Sequence, residues 1–225
     1  MIPAREALER LREGNQRFVS ERPEADAPTG RRRTEVAAGQ EPFAIILGCS
    51  DSRVPAEIVF DQGLGDLFVI RVAGNIVAPS QVGSVEFAAA RLGVRLVVVL
   101  GHSSCGVVVA TLEQLQGVSA PDTRSLVSIV DRVRPAVETL LESQRADKLA
   151  GGPGVSPDEL LQRAVRANVR SSASHLRHGS ELLERLIAEE GLLVVGAEYS
   201  LDTGVVDFFD GVPARGLDSL ARSLP

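Results

Sequence analysis

The 225 residues include no tryptophan, a single tyrosine (Tyr199), one methionine and only two cysteines. With so few aromatics, any core has to be built from Val, Leu, Ile and Ala. Two cysteines cannot form a disulfide framework, so covalent staples do not organise the fold. No run approaches 18 consecutive apolar residues, which leaves nothing to span a membrane. The opening Met1-Ile2-Pro3-Ala4-Arg5-Glu6 lacks the basic and then apolar pattern of a secretory leader, and a cytoplasmic location is expected. Excess positive charge is also missing. The formal net charge is −6, which argues against nucleic acid, because that binding depends on neutralising phosphates with Lys and Arg. Hydrophobic residues make up 44% and charged residues 24%, a globular balance. One generous domain is expected, able to bury roughly 70% of its unfolded surface without a staple.

Residues 3–20 predict an amphipathic helix, with Ala7, Leu8, Leu11 and Phe18 at helical spacing and Pro3 suited to a first turn. A single domain does not obviously cover that apolar face, which suggests a partner subunit. Residues 21–42 are polar and punctuated by Pro23, Pro28, Gly30, Gly39 and Pro42, so they read as an extended arm. Arg31-Arg32-Arg33 reads as a solvated face, offset by Glu21, Glu24, Asp26, Glu35 and Glu41. Short apolar runs at 43–47, 67–72, 96–100 and 192–195 lack polar alternation, as strands covered on both faces do. Helical stretches at 81–92, 106–115, 123–141, 158–177 and 180–190 lie between them. The alternation predicts an α/β fold, a mainly parallel central sheet flanked by helices. The expected organisation is a helix and arm packing on a partner over 1–42, a metal-binding α/β domain over 43–212, and a tail over 213–225. Gly151-Gly152-Pro153-Gly154 reads as a turn between long helices, not as a phosphate cradle, because no Lys-Ser/Thr follows.

Two of the apolar runs end alike. The first stops at Gly48-Cys49 and the third at Gly101-His102, each placing a good metal ligand just past a strand. In open α/β sheets ligands bind outside the carboxyl ends of the strands, so neighbouring strands would bring Cys49 and His102 into one crevice. The full pattern is Cys49-x-Asp51-x-Arg53, then His102-x-x-Cys105. Two thiolates and an imidazole form a borderline-soft set that suits Zn²⁺. The competing reading is a pair of buried free thiols, while a Cys49–Cys105 disulfide does not suit a reducing compartment. The fourth position on such a metal falls to Asp51 or to water: four protein groups close the site, three leave it open for chemistry. Asp51 and Arg53 lie two apart in a locally extended turn, so the guanidinium can draw the carboxylate off the metal. The same pair allows an exchange with pH, Asp51 on the metal at low pH and on Arg53 at higher pH.

Gly48-Cys49-Ser50-Asp51-Ser52-Arg53 together with Gly101-His102-Ser103-Ser104-Cys105-Gly106 closely resembles the β-class carbonic anhydrases. The resemblance continues through Phe60-Asp61-Gln62-Gly63, Val69-Ile70-Arg71-Val72-Ala73-Gly74-Asn75, Gly83-Ser84-Val85-Glu86-Phe87 and the stretch 196–204, covering roughly residues 4–210. It implies a zinc lyase interconverting carbon dioxide and bicarbonate, with one Zn²⁺ per chain on Cys49, His102 and Cys105 and a catalytic pair in Asp51 and Arg53. It also implies a substrate pocket that includes Gln40, Phe68, Ala73, Phe87 and Gly106, formed at a dimer interface in a homodimer or homotetramer. Alternatives on the same site are a carbon disulfide or carbonyl sulfide hydrolase, and a non-catalytic zinc protein closed by Asp51. Ile46 stands where some members carry a tryptophan that forms a bicarbonate site with an arginine, although Arg71 matches the arginine.

Other signals carry less. Asp202-Thr203-Gly204 matches the aspartic-protease tripeptide, but that chemistry needs a second carboxylate of the same kind, and no other D-T-G or D-S-G occurs. It reads as a turn between strands. His175 and His178 read as solvated residues on a polar helix. Ser103 and Ser104 have no G-x-S-x-G elbow around them and read as turn hydrogen-bonders, with a ligand thiolate as one partner for them.

Overall fold

A computed structural model describes residues 2–24, 30–118 and 123–214. Residues 25–29 of the expected arm and 215–225 of the expected tail lie outside these. The elements in chain order are α1 (Ala4–Val19), α2 (Gly30–Val36), β1 (Ala44–Gly48), α3 (Ala56–Val59), β2 (Leu67–Arg71), a 3₁₀ turn (Ala73–Asn75), α4 (Pro79–Arg91), β3 (Leu96–His102), α5 (Gly106–Leu115), α6 (Arg124–Leu149), α7 (Pro157–His178), α8 (Glu181–Glu189), β4 (Leu193–Tyr199) and β5 (Val206–Asp210). The strands form one sheet in the order β2-β1-β3-β4-β5, parallel throughout except for antiparallel β5. Every residue of β1 and of β3 is buried, which explains why their sequences show no polar alternation.

Side chains still alternate between two layers. Ala44 and Ile46 face a core shared with Leu8 and Leu11 of α1, whereas Ile45 and Leu47 join Val85, Ala89, Ala173 and Leu183 from α4, α7 and α8. A third cluster gathers Cys49, Cys105, Val108, Val133, Val137 and Val165 from α5, α6, α7 and the end of β1. All of the expected strands and long helices occur. The third strand continues two residues past Leu100, α6 runs on to Leu149, and β4 continues to Tyr199. The expected arm is not wholly extended: α2 occupies part of it, with Arg32 donating to Leu64 O at 3.1 Å and pairing with Asp66 at 3.3 Å. The four-residue α3 and the 3₁₀ turn are too short to show a period in sequence.

The apolar face of α1 is covered by its own chain, with Leu8 and Leu11 no more than 1% exposed. A partner subunit is therefore not required to bury it. Polar contacts add to this docking, foremost those of Asn15. Asn15 Nδ2 donates to Val59 O at 3.1 Å and to Gly204 O at 2.8 Å, and its Oδ1 accepts the Val206 amide at 2.8 Å. Replacing Asn15 by Ala strands two buried backbone groups, each costing about 1–3 kcal/mol, and a third that is half-buried. Asn15→Ala is expected to lower unfolding stability by roughly 2–4 kcal/mol in chemical denaturation, against little change for exposed Gln16→Ala. Equal midpoints for the two variants would refute the role given to Asn15.

Candidate metal centre

The parallel pairing of β1 with β3 sets Gly48 opposite Leu100, so the turns that follow both strands leave the same end of the sheet. Cys49 stands just beyond β1, His102 is the last residue of β3, and Cys105 is the N-cap residue of α5. Ser104, at φ 55°, makes the reversal between His102 and Cys105. All three candidate ligands are buried, and their ligand atoms lie within 4.8 Å of one another. His102 Nδ1 donates to Ser103 O at 2.9 Å, which leaves the Nε2 lone pair facing the cluster. That Nε2 is buried and, among the described residues, has no hydrogen-bond partner. An orphaned imidazole nitrogen between two sulfurs is the donor set that a tetrahedral Zn²⁺ takes, so the residues fit the ion. Ser103 is tied down on both sides: its amide donates to Tyr199 O and its Oγ accepts from the Leu201 amide, each at 2.9 Å. Its hydroxyl thus serves the turn, as expected.

A hydrogen bond from Cys105 lowers the Cys49 thiol to about 4 against the opposing effect of burial, helped by His102 and by the amides of Gly74 and Asp51. The same bond to Cys49, with burial, pushes Cys105 above any ordinary thiol value. The two sulfurs hold one proton between them. Burial pulls His102 down, but the adjacent Cys49 thiolate and the Ser103 carbonyl outweigh it, and the net movement is upward. A bound cation takes the place of these protons.

Asp51 is held by Arg53. Arg53 Nε and Nη2 donate to its two carboxylate oxygens at 2.9 and 2.7 Å, and the Arg53 amide adds a third bond at 3.0 Å. The Arg53 guanidinium keeps this carboxyl well below the usual carboxylate range. Oδ2 lies 3.8 Å from His102 Nε2, so the carboxylate borders the cluster. Arg71 splints the same turn from the other side, donating to Cys49 O at 3.0 Å and Asp51 O at 2.6 Å. Ile46 is fully buried in the core and presents nothing to a solvent-borne anion.

Of the expected pocket residues, Ala73 and Gly106 adjoin the cluster. Gly74, next to Ala73, donates its amide to Cys49 Sγ at 3.3 Å, and Gly106 follows Cys105 directly. Gln40, Phe68 and Phe87 are not brought there within one chain. Gln40 is exposed and precedes the start of β1, whereas Cys49 follows its end. Phe68 pairs with Ile45, four residues short of Cys49 or about 13 Å along a strand. Phe87 is 50% exposed and stacks near Phe68, with ring centroids 6.2 Å apart. Sequence reading missed the Gly74 amide, the Ser103 carbonyl, and Asn168 and Ser172 of α7, which hold the 3₁₀ turn. His175 is exposed on the far part of α7, and Asp202-Thr203-Gly204 lies in the turn between β4 and β5.

Residues 44–206 match the family model described as carbonic anhydrase. The chain is 44% identical over 198 residues to carbonic anhydrase 2 of Mycobacterium tuberculosis, covering 88% of this chain and 89% of that protein. Among solved structures it resembles the β-carbonic anhydrase CafA of Aspergillus fumigatus, with a TM-score of 0.70 and 25% identity across 97% of this chain and 95% of that one. It also resembles the tetrameric β-carbonic anhydrases of Sordaria macrospora, with a TM-score of 0.68 and 25% identity across 80% of this chain and 90% of that one.

Metal binding here must displace protons. The two sulfurs share a proton and His102 is shifted toward its charged form. Zinc affinity, measured by competition with a chelator, is therefore expected to fall at least about tenfold for each unit that pH drops between 8 and 6. An affinity independent of pH over that range would contradict the assignment. So would stoichiometric zinc retained by both Cys49→Ser and Cys105→Ser proteins.

Proposed function

Because the chain belongs to the β-class carbonic anhydrases, we propose that it catalyses the reversible hydration of carbon dioxide to bicarbonate, with Cys49, His102 and Cys105 as ligands to one Zn²⁺. When bound there, zinc acts as a Lewis acid that makes water nucleophilic near pH 7. The Arg53–Asp51 pair carries this reading. Its three hydrogen bonds hold the carboxylate beside the three ligand atoms without spending it as a fourth ligand. Asp51, kept ionised by Arg53, accepts a proton-bearing group beside the reacting atoms and orients it. Arg71 keeps the Cys49–Asp51 backbone in the shape that permits this. Gly106, exposed beside Cys105, has no described atom within 4 Å of a Cβ built on it, so the approach to the cluster is unobstructed there. A metal permanently closed by Asp51 is disfavoured by the same pair, and relatives named carbonic anhydrases do not favour carbon disulfide or carbonyl sulfide.

Gln40, Phe68 and Phe87 fit the pocket as contributions from a second copy, because within one chain they lie toward the other end of β1. Half-exposed Phe87 beside Phe68 supports an interface there. We infer a homodimer or homotetramer, and the two free cysteines suit a reducing, cytoplasmic setting. Sedimentation at micromolar concentration is expected to give an oligomer, and a fully active monomer would overturn that reading.

Stopped-flow hydration assays on purified protein, with zinc measured on the same sample, test the activity. Arg53→Ala is expected to keep its zinc and lose roughly 100-fold or more in kcat/KM, because Asp51 is then free to occupy the metal. Near wild-type turnover by that variant would remove the pair from the mechanism. Zinc-loaded wild-type protein with no hydration above buffer would remove the activity itself.

A further inference from the structure

The ligand Cys49 receives an amide from a residue with little restraint of its own. Gly74 donates N–H to Cys49 Sγ at 3.3 Å while sitting at φ 72°, a left-handed conformation that glycine enters and leaves at low cost. A Cβ built there would come within 2.9 Å of Val107 Cγ1, so the site excludes any other residue unless Val107 shifts. Something outside the turn must then hold the glycine in place. Asn168, on α7 and 94 residues away in the chain, donates from Nδ2 to Gly74 O at 2.8 Å. It is buried, 2% exposed, and its carboxamide reaches the peptide unit that follows Gly74, while the unit before it carries the N–H aimed at sulfur. One helical turn further on, Ser172 Oγ donates to Asn75 O at 3.0 Å, one carbonyl beyond.

We propose that Asn168 is a positioning residue for the metal centre, locking Gly74 so that its amide stays on the Cys49 sulfur. The inference rests on Cys49 being a zinc ligand, and it adds a residue with no donor atom near the metal. An amide bonded to a thiolate stabilises the sulfur lone pairs, which raises the energy of sulfur-to-metal charge transfer and tunes the ligand. Losing the outer anchor lets the glycine relax and the N–H leave the sulfur.

The test replaces zinc by Co²⁺ in the full-length protein and records the thiolate-to-cobalt band, together with the rate of zinc transfer to a chelator. Asn168→Ala is expected to move the band to longer wavelength and to speed zinc loss about tenfold. Ser172→Ala, which frees the next carbonyl only, is expected to leave the band in place. If Asn168→Ala does not fold, Asn168→Leu keeps the volume, removes the donor and is expected to behave as described for alanine. An unshifted band in the Asn168 variants, or an equal shift in Ser172→Ala, would overturn the proposal. A wild-type cobalt protein with no thiolate band would instead overturn the ligand assignment, and the proposal with it.

Discussion

The close seating of α7 on β3 and β4 is the constraint from which the metal centre follows. Val169 occupies a notch that only glycines leave open: a Cβ on Gly101 would lie 2.5 Å from its Cγ2, and one on Gly196 would lie 2.8 Å from its Cγ1. Gly101 immediately precedes His102, so the residue that admits the helix also delivers the imidazole. With α7 held at that depth, Asn168 and Ser172 reach the carbonyls of the 3₁₀ turn, and that turn reaches Cys49. Packing of a valine against two glycines is thus connected, through three hydrogen bonds, to a sulfur just past the end of β1.

The two arginines near the turn divide the work by the type of oxygen they bind. Arg53 takes the Asp51 side chain, and Arg71 takes the Cys49 and Asp51 main chain. Neither duplicates the other. A turn held only by Arg53 would lose the bond on Cys49 O and leave the Asp51 carbonyl to the Val54 amide alone, while one held only by Arg71 would leave the carboxylate free to turn toward the cluster. Planar, forked donors suit both tasks better than an ammonium does.

Much of this was legible in the chain because it depends on spacing and residue type. Buried parallel strands announce themselves as β-branched runs without alternation, and the candidate ligands sit at fixed offsets from strand ends. Cys49, His102, Cys105, Asp51 and Arg53 were all readable on those grounds. Asn15 and Asn168 were not. Each is a polar residue on an amphipathic helix whose partners are backbone groups 44 to 191 residues away, and such pairing leaves no period or motif. The covering of α1 by its own sheet was illegible for a related reason: an apolar helical face states that it will be buried, not by which surface. Gln40, Phe68 and Phe87 come from the resemblance, which sets the pocket at a dimer interface, and within one chain they lie apart from the cluster.

The charge balance explains why the position of Asp51 can be left to hydrogen bonding. Two thiolates and a divalent cation sum to zero, so any anion in the fourth place brings the metal centre to −1, whether carboxylate or hydroxide. Electrostatics at the ion alone therefore discriminate weakly between a closed and an open site. Arg53 breaks the tie through geometry, since its Nε and Nη2 match the two carboxylate oxygens and its amide supplies a third donor, an arrangement that a metal-bound carboxylate would have to give up. Charge-assisted bonds of this kind weaken where water competes, and Arg53 is 56% exposed at its side chain while Asp51 is 18% exposed. The grip on Asp51 is thus strongest where the turn is covered, and a second subunit seated over it would strengthen the open arrangement by removing water from the pair.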